Sequence, residues 1–182
     1  ASCVRQGNTV LEMKTFNSMD LMQLCGAIKN KYDNETVMSK PQEVLVDVIG
    51  LGSGVVDRLA EQNLPVRGVN VAEAPATKKN FLNLRAELWF AIKDWLAQRD
   101  CRLPYDDELV AELVAPIYKY TSTGKIKLES KEEMKKRGIK SPDRADALAL
   151  TMASAAASFS GSQTFMGYNF KKPLKSRIIR VG

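Results

Sequence analysis

Hydrophobic and polar positions along this chain change period every ten to twenty residues. "SCVRQGNTVLEMKTF" carries two strand-like runs about Gln6-Gly7-Asn8, and Gly-Asn suits a tight turn, so the stretch predicts a β-hairpin. In "SMDLMQLCGAIKNKYDN" the apolar residues Leu21, Leu24 and Ile28 recur at helical spacing behind a cap-like Ser18, which predicts an amphipathic helix. "EVLVDVIG" is a run of β-branched residues, apolar on both faces except at Asp47, as in a central parallel strand. Gly50, Gly52 and Gly54 punctuate the turn after it, "VVDRLAEQN" begins a helix, and "VRGVNVAE" is a second short parallel strand. Strand, helix, strand, helix, strand is the order of an α/β fold.

Further along, residues 78–99 predict one long amphipathic helix with Phe81, Leu84, Leu88, Ile92 and Trp95 on a stripe, and Asp106 to Leu113 a shorter one. "IYKYTSTGKIKLES" alternates about Thr121–Gly124 and predicts a hairpin; "KEEMKKRG" is a charged helical turn closed by Gly138. "KSPDRADALALTMASAAASF" predicts a last helix, with Ser141 as N-cap, Pro142 at the first position, and neither Gly nor Pro until Gly161. No internal repeat or linker interrupts the chain. Residues 1–160 read as one domain, and 161–182, with Lys171, Lys172, Lys175, Arg177 and Arg180, as a flexible basic tail.

Composition then limits the chemistry. At 182 residues and 45% hydrophobic, the chain suits one globular domain with a core. A net charge of +6 favours an anionic partner, nucleic acid first. The chain holds no histidine, which removes every hydrolytic scheme that uses imidazole as base, acid or metal ligand. Hydrolysis must then rest on carboxylates, with hard divalent cations. Cys3, Cys25 and Cys101 are odd in number and lack C-x-x-C spacing, so they read as scattered reduced thiols of a cytosolic protein. No signal peptide is visible, and the longest apolar run falls short of the ~20 residues of a membrane span; the chain reads as soluble.

Three carboxylates stand out. Asp143 falls in the first turn of the last predicted helix, where the helix dipole alone is reason enough for an acid. Asp146 follows three residues on, on the same face, between Ala145 and Ala147 on a helix destined for burial; something positive should meet it. Asp47 shares a strand face with Leu45 and Ile49, and either bonds the amides of the glycine turn or meets a cation. The loop "GLGSG" is spaced G-x-G-x-G, and Asn70 stands at the end of the next strand where a dinucleotide site wants an acid, so glycines for a sharp turn are the better reading. Basic residues crowd 119–140: Lys119, Lys125, Lys127, Lys131, Lys135, Lys136, Arg137 and Lys140. "KEEMKK" partly neutralises itself, whereas Lys125 and Lys127 alternate onto one hairpin face without acids nearby in sequence. Lysines leading to a carboxylate cluster suit a phosphodiester substrate.

"VLVDVIGLGSGVVDRL", "NLRAELWF" and "IKLESKEEMKKRGIKSPDRADALAL" closely resemble the C-terminal nuclease domain of tailed-phage large terminases, over nearly the whole chain to about Ser160. The resemblance implies a ribonuclease H-like mixed sheet flanked by helices, with an extra β-hairpin. It implies a two-metal endonuclease, using Mg²⁺ or Mn²⁺, that cuts concatemeric viral DNA during packaging. Asp47 matches the family's strand carboxylate, Asp146 its helix carboxylate, and Asp143 the neighbouring metal-site position. Lys125, Lys127, Lys131, Lys135, Lys136 and Arg137 are the DNA-binding candidates. Implied partners are double-stranded DNA, the terminase ATPase domain, the small terminase subunit and the portal; the implied location is the host cytoplasm, docked transiently on the procapsid.

One departure stands against this. The family's first metal aspartate lies on a central strand just before the opening hairpin, and this sequence begins inside that hairpin; no Asp precedes Glu12, and neither Glu12 nor Asp20 has the matching context. The first strand is therefore expected to be missing. Two alternatives follow: a non-catalytic DNA-clamping or portal-docking module, and a resolvase-like nuclease of the same fold.

Overall fold

The computed structural model describes residues 1–153 and the strand Arg177–Val181. Ser2–Gln6 (β1) and Thr9–Lys14 (β2) form the predicted hairpin, turning at Gly7 with φ 56°. Helix α1, Leu21–Asp33, begins later than its sequence suggests: Asp20 and not Ser18 is the cap. The Asp20 carboxylate accepts the Gln23 amide at 2.8 Å while the Gln23 side chain accepts the Asp20 amide, a reciprocal pair that Ser18, at φ 56°, does not supply. Glu43–Asp47 (β3), Gly52–Glu61 (α2) and Val66–Val69 (β4) follow in the predicted order, with α2 beginning at Gly52 rather than Val55 and β4 ending before Asn70. Gly50, in the turn, and Gly52, the first residue of α2, allow the sharp strand-to-helix connection. Gly50 sits at φ +74°, and a Cβ on Gly52 would lie 1.7 Å from the Asp47 carbonyl oxygen.

The long helix expected over 78–99 is shorter. It runs Leu84–Ala97 (α3), because the Asn83 side chain accepts the Ala86 amide and ends the helix there. Ahead of it, Phe81 bridges to Ile126, and the Glu87 carboxylate accepts the amides of Ala76 and Thr77, so this segment lies along the second hairpin. Asp107–Val114 (α4) is capped by Asp106, Tyr118–Tyr120 (β5) pairs with Ile126–Leu128 (β6), and Lys131–Lys136 (α5) starts with a Ser130–Glu133 capping box.

The last helix also departs from expectation. Asp143–Leu150 (α6) has Pro142, not Ser141, at its N-cap, and stops at Thr151. Arg5 explains the stop. Its Nη2 donates to the Thr151 carbonyl at 2.7 Å and its Nε to the Thr151 hydroxyl at 2.9 Å, placing a buried guanidinium at the helix's negative end. The expected continuation to residue 160 falls largely outside the described residues.

The five-stranded sheet has the order β2-β1-β7-β3-β4, where β7 is Arg177–Val181. β7 is antiparallel to β1 and parallel to β3. Arg177–Val181, within the stretch read from sequence as a basic tail, form the central strand of this sheet. Val44 and Val46 point to a core shared with α1 and α2, through Cys25, Ile28, Val55 and Leu59. Leu45 points the other way, into a core with Leu88, Ile92, Leu109 and Leu148 of α3, α4 and α6. Period-two alternation puts Asp47 on that second face. Among the described residues no helix is long and apolar enough to cross a membrane.

Candidate metal and nucleic-acid site

Asp47, Asp143 and Asp146 line one cleft of about 590 Å³, together with Arg85, Trp89, Lys127 and Lys131. Three elements meet there: the carboxyl end of β3, the α3 surface, and the first turn of α6. Asp47 Oδ1 accepts the Ile49 amide at 3.1 Å, the turn bond foreseen for it, while its strand position brings it to the cleft wall.

Asp146 is 7% exposed and meets positive charge from two helices. Its Oδ1 accepts Trp89 Nε1 at 2.9 Å and Arg85 Nε at 3.3 Å; its Oδ2 lies 3.2 Å from Lys131 Nζ. The same ammonium stands 3.5 Å from Asp143 Oδ1, which also accepts the Ser141 hydroxyl at 2.7 Å. Arg85 Nη1 donates to the Glu129 carbonyl at 2.7 Å, and Nη2 is buried with no hydrogen bond among the described residues. Sequence reasoning missed Arg85 and Trp89. Their signal was an Arg and a Trp at i, i+4 on an otherwise apolar helix, one polar stripe aimed inward.

The α6 amino end is held from outside. Glu112 of α4 accepts the amides of Arg144 at 2.7 Å and Ala145 at 2.9 Å, doing what no side chain of the helix itself does. Burial pushes the Glu112 carboxyl above its ordinary range; the two amides pull the other way and the Asp143 charge adds to the rise. Arg144 in turn pairs with Asp106 and Glu108, locking α4 to α6.

The basic candidates divide. Lys127 and Lys131 reach the cleft. Lys127 is not without acids, as its sequence suggested: its Nζ lies 3.7 Å from Glu133, which also receives Lys119 at 3.2 Å. The Ser130 amide, then Lys119, hold the Glu133 carboxyl down to about 2. Arg137 makes a two-pronged pair with Glu129 at 2.7 and 2.6 Å and donates to the Ala115 carbonyl at 2.9 Å. Lys135 and Lys136 are exposed on α5, and Lys125 precedes β6.

The acids of the cleft offer oxygen donors, and no histidine or thiol lines it, which suits a hard divalent cation. Among the described residues no group of three Asp, Glu, Cys or His stands close enough to hold an ion by itself. In kind, the oxygen donors of the cleft fit such an ion.

No protein-family profile matches the chain, and no curated protein matches it. Solved structures do. The nuclease domain of the large terminase subunit gp2 of bacterial virus Sf6, a K428A mutant with manganese, superposes with TM-score 0.69 at 22% identity, over 82% of this chain and 81% of that one. The same domain in another structure gives 0.65 at 23% over 82% and 80%. The large terminase nuclease of thermophilic phage G20c, with bound magnesium, gives 0.53 at 16% over 83% and 74%. The sheet order and the two helical layers described above are thus those of a mixed α/β, ribonuclease H-like fold, shared with the nuclease domains of phage large terminase subunits.

Proposed function

We propose that this chain is a metal-dependent endonuclease domain that cuts double-stranded DNA in viral genome packaging. The observation that carries the reading is that Asp47, from a strand, and Asp146, from a helix, line one cleft together with Lys127 and Lys131. Mg²⁺ or Mn²⁺, two ions on this reading, held by Asp47 and Asp146 with Asp143 beside them, would supply Lewis-acid activation of water and charge neutralisation at the phosphate. Trp89 and Arg85 fix one oxygen of Asp146 and leave the other turned to the cleft. Arg85 Nη2 has donor capacity to spare for a phosphate oxygen. Lys127 stands where it can hold the backbone of the same strand. Implied partners are the terminase ATPase domain, the small subunit and the portal.

A clamping module is the second reading, favoured by the Lys131 ammonium lodged between Asp143 and Asp146, where it satisfies both acids without metal. Nicking of supercoiled plasmid separates the two. The nuclease reading expects Mn²⁺-dependent nicking that chelator abolishes and that Asp47→Asn or Asp146→Asn removes. DNA binding with no nicking at any metal concentration would leave the clamp.

A further inference from the structure

The β5–β6 hairpin has two unlike faces. Lys119 and Lys127 stand opposite each other on one, where both reach Glu133 of α5 and Lys127 lines the cleft. Period two puts Tyr118 and Tyr120 on the other. There the rings run in a row: Phe81 and Phe90 have centroids 5.4 Å apart, Phe90 and Tyr118 5.2 Å, and Tyr118 and Tyr120 6.2 Å. The last two contacts are nearly perpendicular, at 85° and 80°, an edge-to-face arrangement that aromatic pairs favour. The row starts in the core and comes out to solvent: Phe81 is buried, Phe90 half-buried, Tyr118 50% exposed and Tyr120 66% exposed.

A single exposed tyrosine needs no explanation; two in contact, backed by two phenylalanines, do. Their support is firm. The Ile126 amide donates to the Asn80 carbonyl at 2.8 Å and the Leu82 amide to the Ile126 carbonyl at 2.9 Å, so the hairpin is fastened to the segment that carries Phe81. Rings held in place this way have little freedom left to lose to a ligand. The charge beside them is mostly positive. Lys78 and Lys79 directly precede Asn80, Lys93 Nζ lies 5.3 Å from the centre of the Phe90 ring, and Lys125 opens onto β6. None of these lysines makes an ion pair among the described residues, and the nearest such acid in sequence is Asp94, one turn beyond Phe90. Glu129 and Glu133 are already matched, to Arg137 and to Lys119 with Lys127. Flat rings among unmatched ammonium groups suit a ligand that alternates π-faces with anions, which is the chemistry of an unpaired nucleic-acid strand. A duplex keeps its base faces inside its own stack.

We propose that Tyr118 and Tyr120 form a stacking platform for unpaired nucleotides, with Lys93 and Lys125 beside it for their phosphates. The platform stands without the nuclease reading; only the choice of DNA as the strand rests on it. On that reading, a strand unpaired near the cut passes Lys127 as it leaves the cleft and is held on the far face of the hairpin by its bases.

The test uses the full chain with chelator present, so that nothing is cut. The probes are a labelled oligothymidylate of about twelve nucleotides and an abasic strand of the same length, which keeps the phosphates and lacks the bases. The parent should bind the oligothymidylate at least about tenfold more tightly, or about 1.4 kcal/mol. Tyr118→Leu with Tyr120→Leu should bring the two affinities within about twofold of each other, by loss of oligothymidylate binding alone. The salt slope for oligothymidylate should not change, because a neutral ring releases no counterion. Tyr118→Phe with Tyr120→Phe keeps the rings and should keep the preference. If the leucine pair does not fold, Tyr120→Leu alone, at the exposed end of the row, should lower the preference by about threefold or more. A parent without preference for bases would overturn the proposal and leave the row as a surface for a protein. A preference that survives the leucine substitutions, or an equal loss of abasic binding, would overturn it too. Absence of plasmid nicking with the base preference intact would count against the nuclease reading alone.

Discussion

The indole Nε1 of Trp89 donates to Oδ1 of Asp146 at 2.9 Å, joining the middle of α3 to the first turn of α6. A carboxylate held this way presents its other oxygen in one direction. Here that direction is the cleft, where Lys131 now lies 3.2 Å away. Trp95, two turns further along the same helix, donates instead to Asn8, so the two tryptophans tie α3 to different parts of the fold.

Trp89→Phe keeps most of the buried ring and removes the donor. A hydrogen bond to a charged group contributes about 1.5–3 kcal/mol, and a chain of this size shifts its Tm by roughly 2–4 °C per kcal/mol. The expected outcome is a Tm lowered by several degrees and a weaker Mn²⁺ affinity by calorimetric titration. Trp95→Phe should lower the Tm and leave Mn²⁺ binding unchanged. Equal Mn²⁺ affinities in both variants would remove Asp146 from the ligand set.

Lys131→Met tests whether the ammonium competes with metal. It sits within 3.5 Å of two carboxylates, so a divalent ion entering there must displace it or bear its repulsion. Lys131 is close to half exposed, which screens the effect. The variant should bind Mn²⁺ more tightly, by on the order of tenfold or about 1.4 kcal/mol, and should lose stability in the metal-free state as Asp146 gives up its cation. Weaker Mn²⁺ binding would show Lys131 to be an aid to the site.

Much of this was legible in the residues themselves. Alternation predicted the β5–β6 hairpin, strand-like runs about a Gly-Asn turn β1 and β2, and a β-branched run β3, while Asp47 and Asp146 stood out as acids among apolar neighbours. Element ends were less so, because they depend on bonds made at a distance: Arg5 stops α6 at Thr151, and Glu112 caps it from α4. Nothing within twenty residues of either helix end encodes those partners. β7 was hidden for a different reason. A five-residue strand with an arginine at every third position reads locally as charge, and its place is decided by the slot between β1 and β3.

The salt dependence of DNA binding should sort the basic residues. Each phosphate contact contributes about 0.9 to the slope of log affinity against log salt. Lys125→Ala and Lys127→Ala should each flatten that slope by at most about one, Lys127 by less because Glu133 already shares its charge. Arg137→Ala should leave the slope as it is and cost stability, since its guanidinium is committed to Glu129 and the Ala115 carbonyl. A slope reduced by Arg137→Ala alone would move the DNA path to the α5 carboxyl end.

The last prediction concerns pH. The Glu112 carboxyl titrates above its ordinary 4.5 in the folded chain, chiefly through burial, so the folded state binds this proton more tightly than the unfolded state does. Stability from this group is therefore full below 4.5 and declines as pH rises through the raised folded value. Glu133 has the opposite sign: its folded value of about 2 lies below 4.5, so its contribution is full above 4.5 and is lost as pH falls toward 2. Glu112→Gln keeps an oxygen for the Arg144 and Ala145 amides and removes the charge that burial and Asp143 disfavour. Its Tm at pH 7 should match or exceed the parent's, with the difference vanishing below pH 4.5. Glu112→Ala leaves both amides without their acceptor and should lower stability at every pH, by about 1–3 kcal/mol. Because those amides belong to the turn that carries Asp143 and Asp146, Glu112→Ala should also weaken Mn²⁺ binding where Glu112→Gln does not. Thermal melts from pH 3 to 8 on the three chains, with Mn²⁺ titrations at pH 7, decide the matter; a Glu112→Gln chain clearly less stable than the parent at pH 7 would mean that the negative charge at the helix end outweighs the cost of burying it.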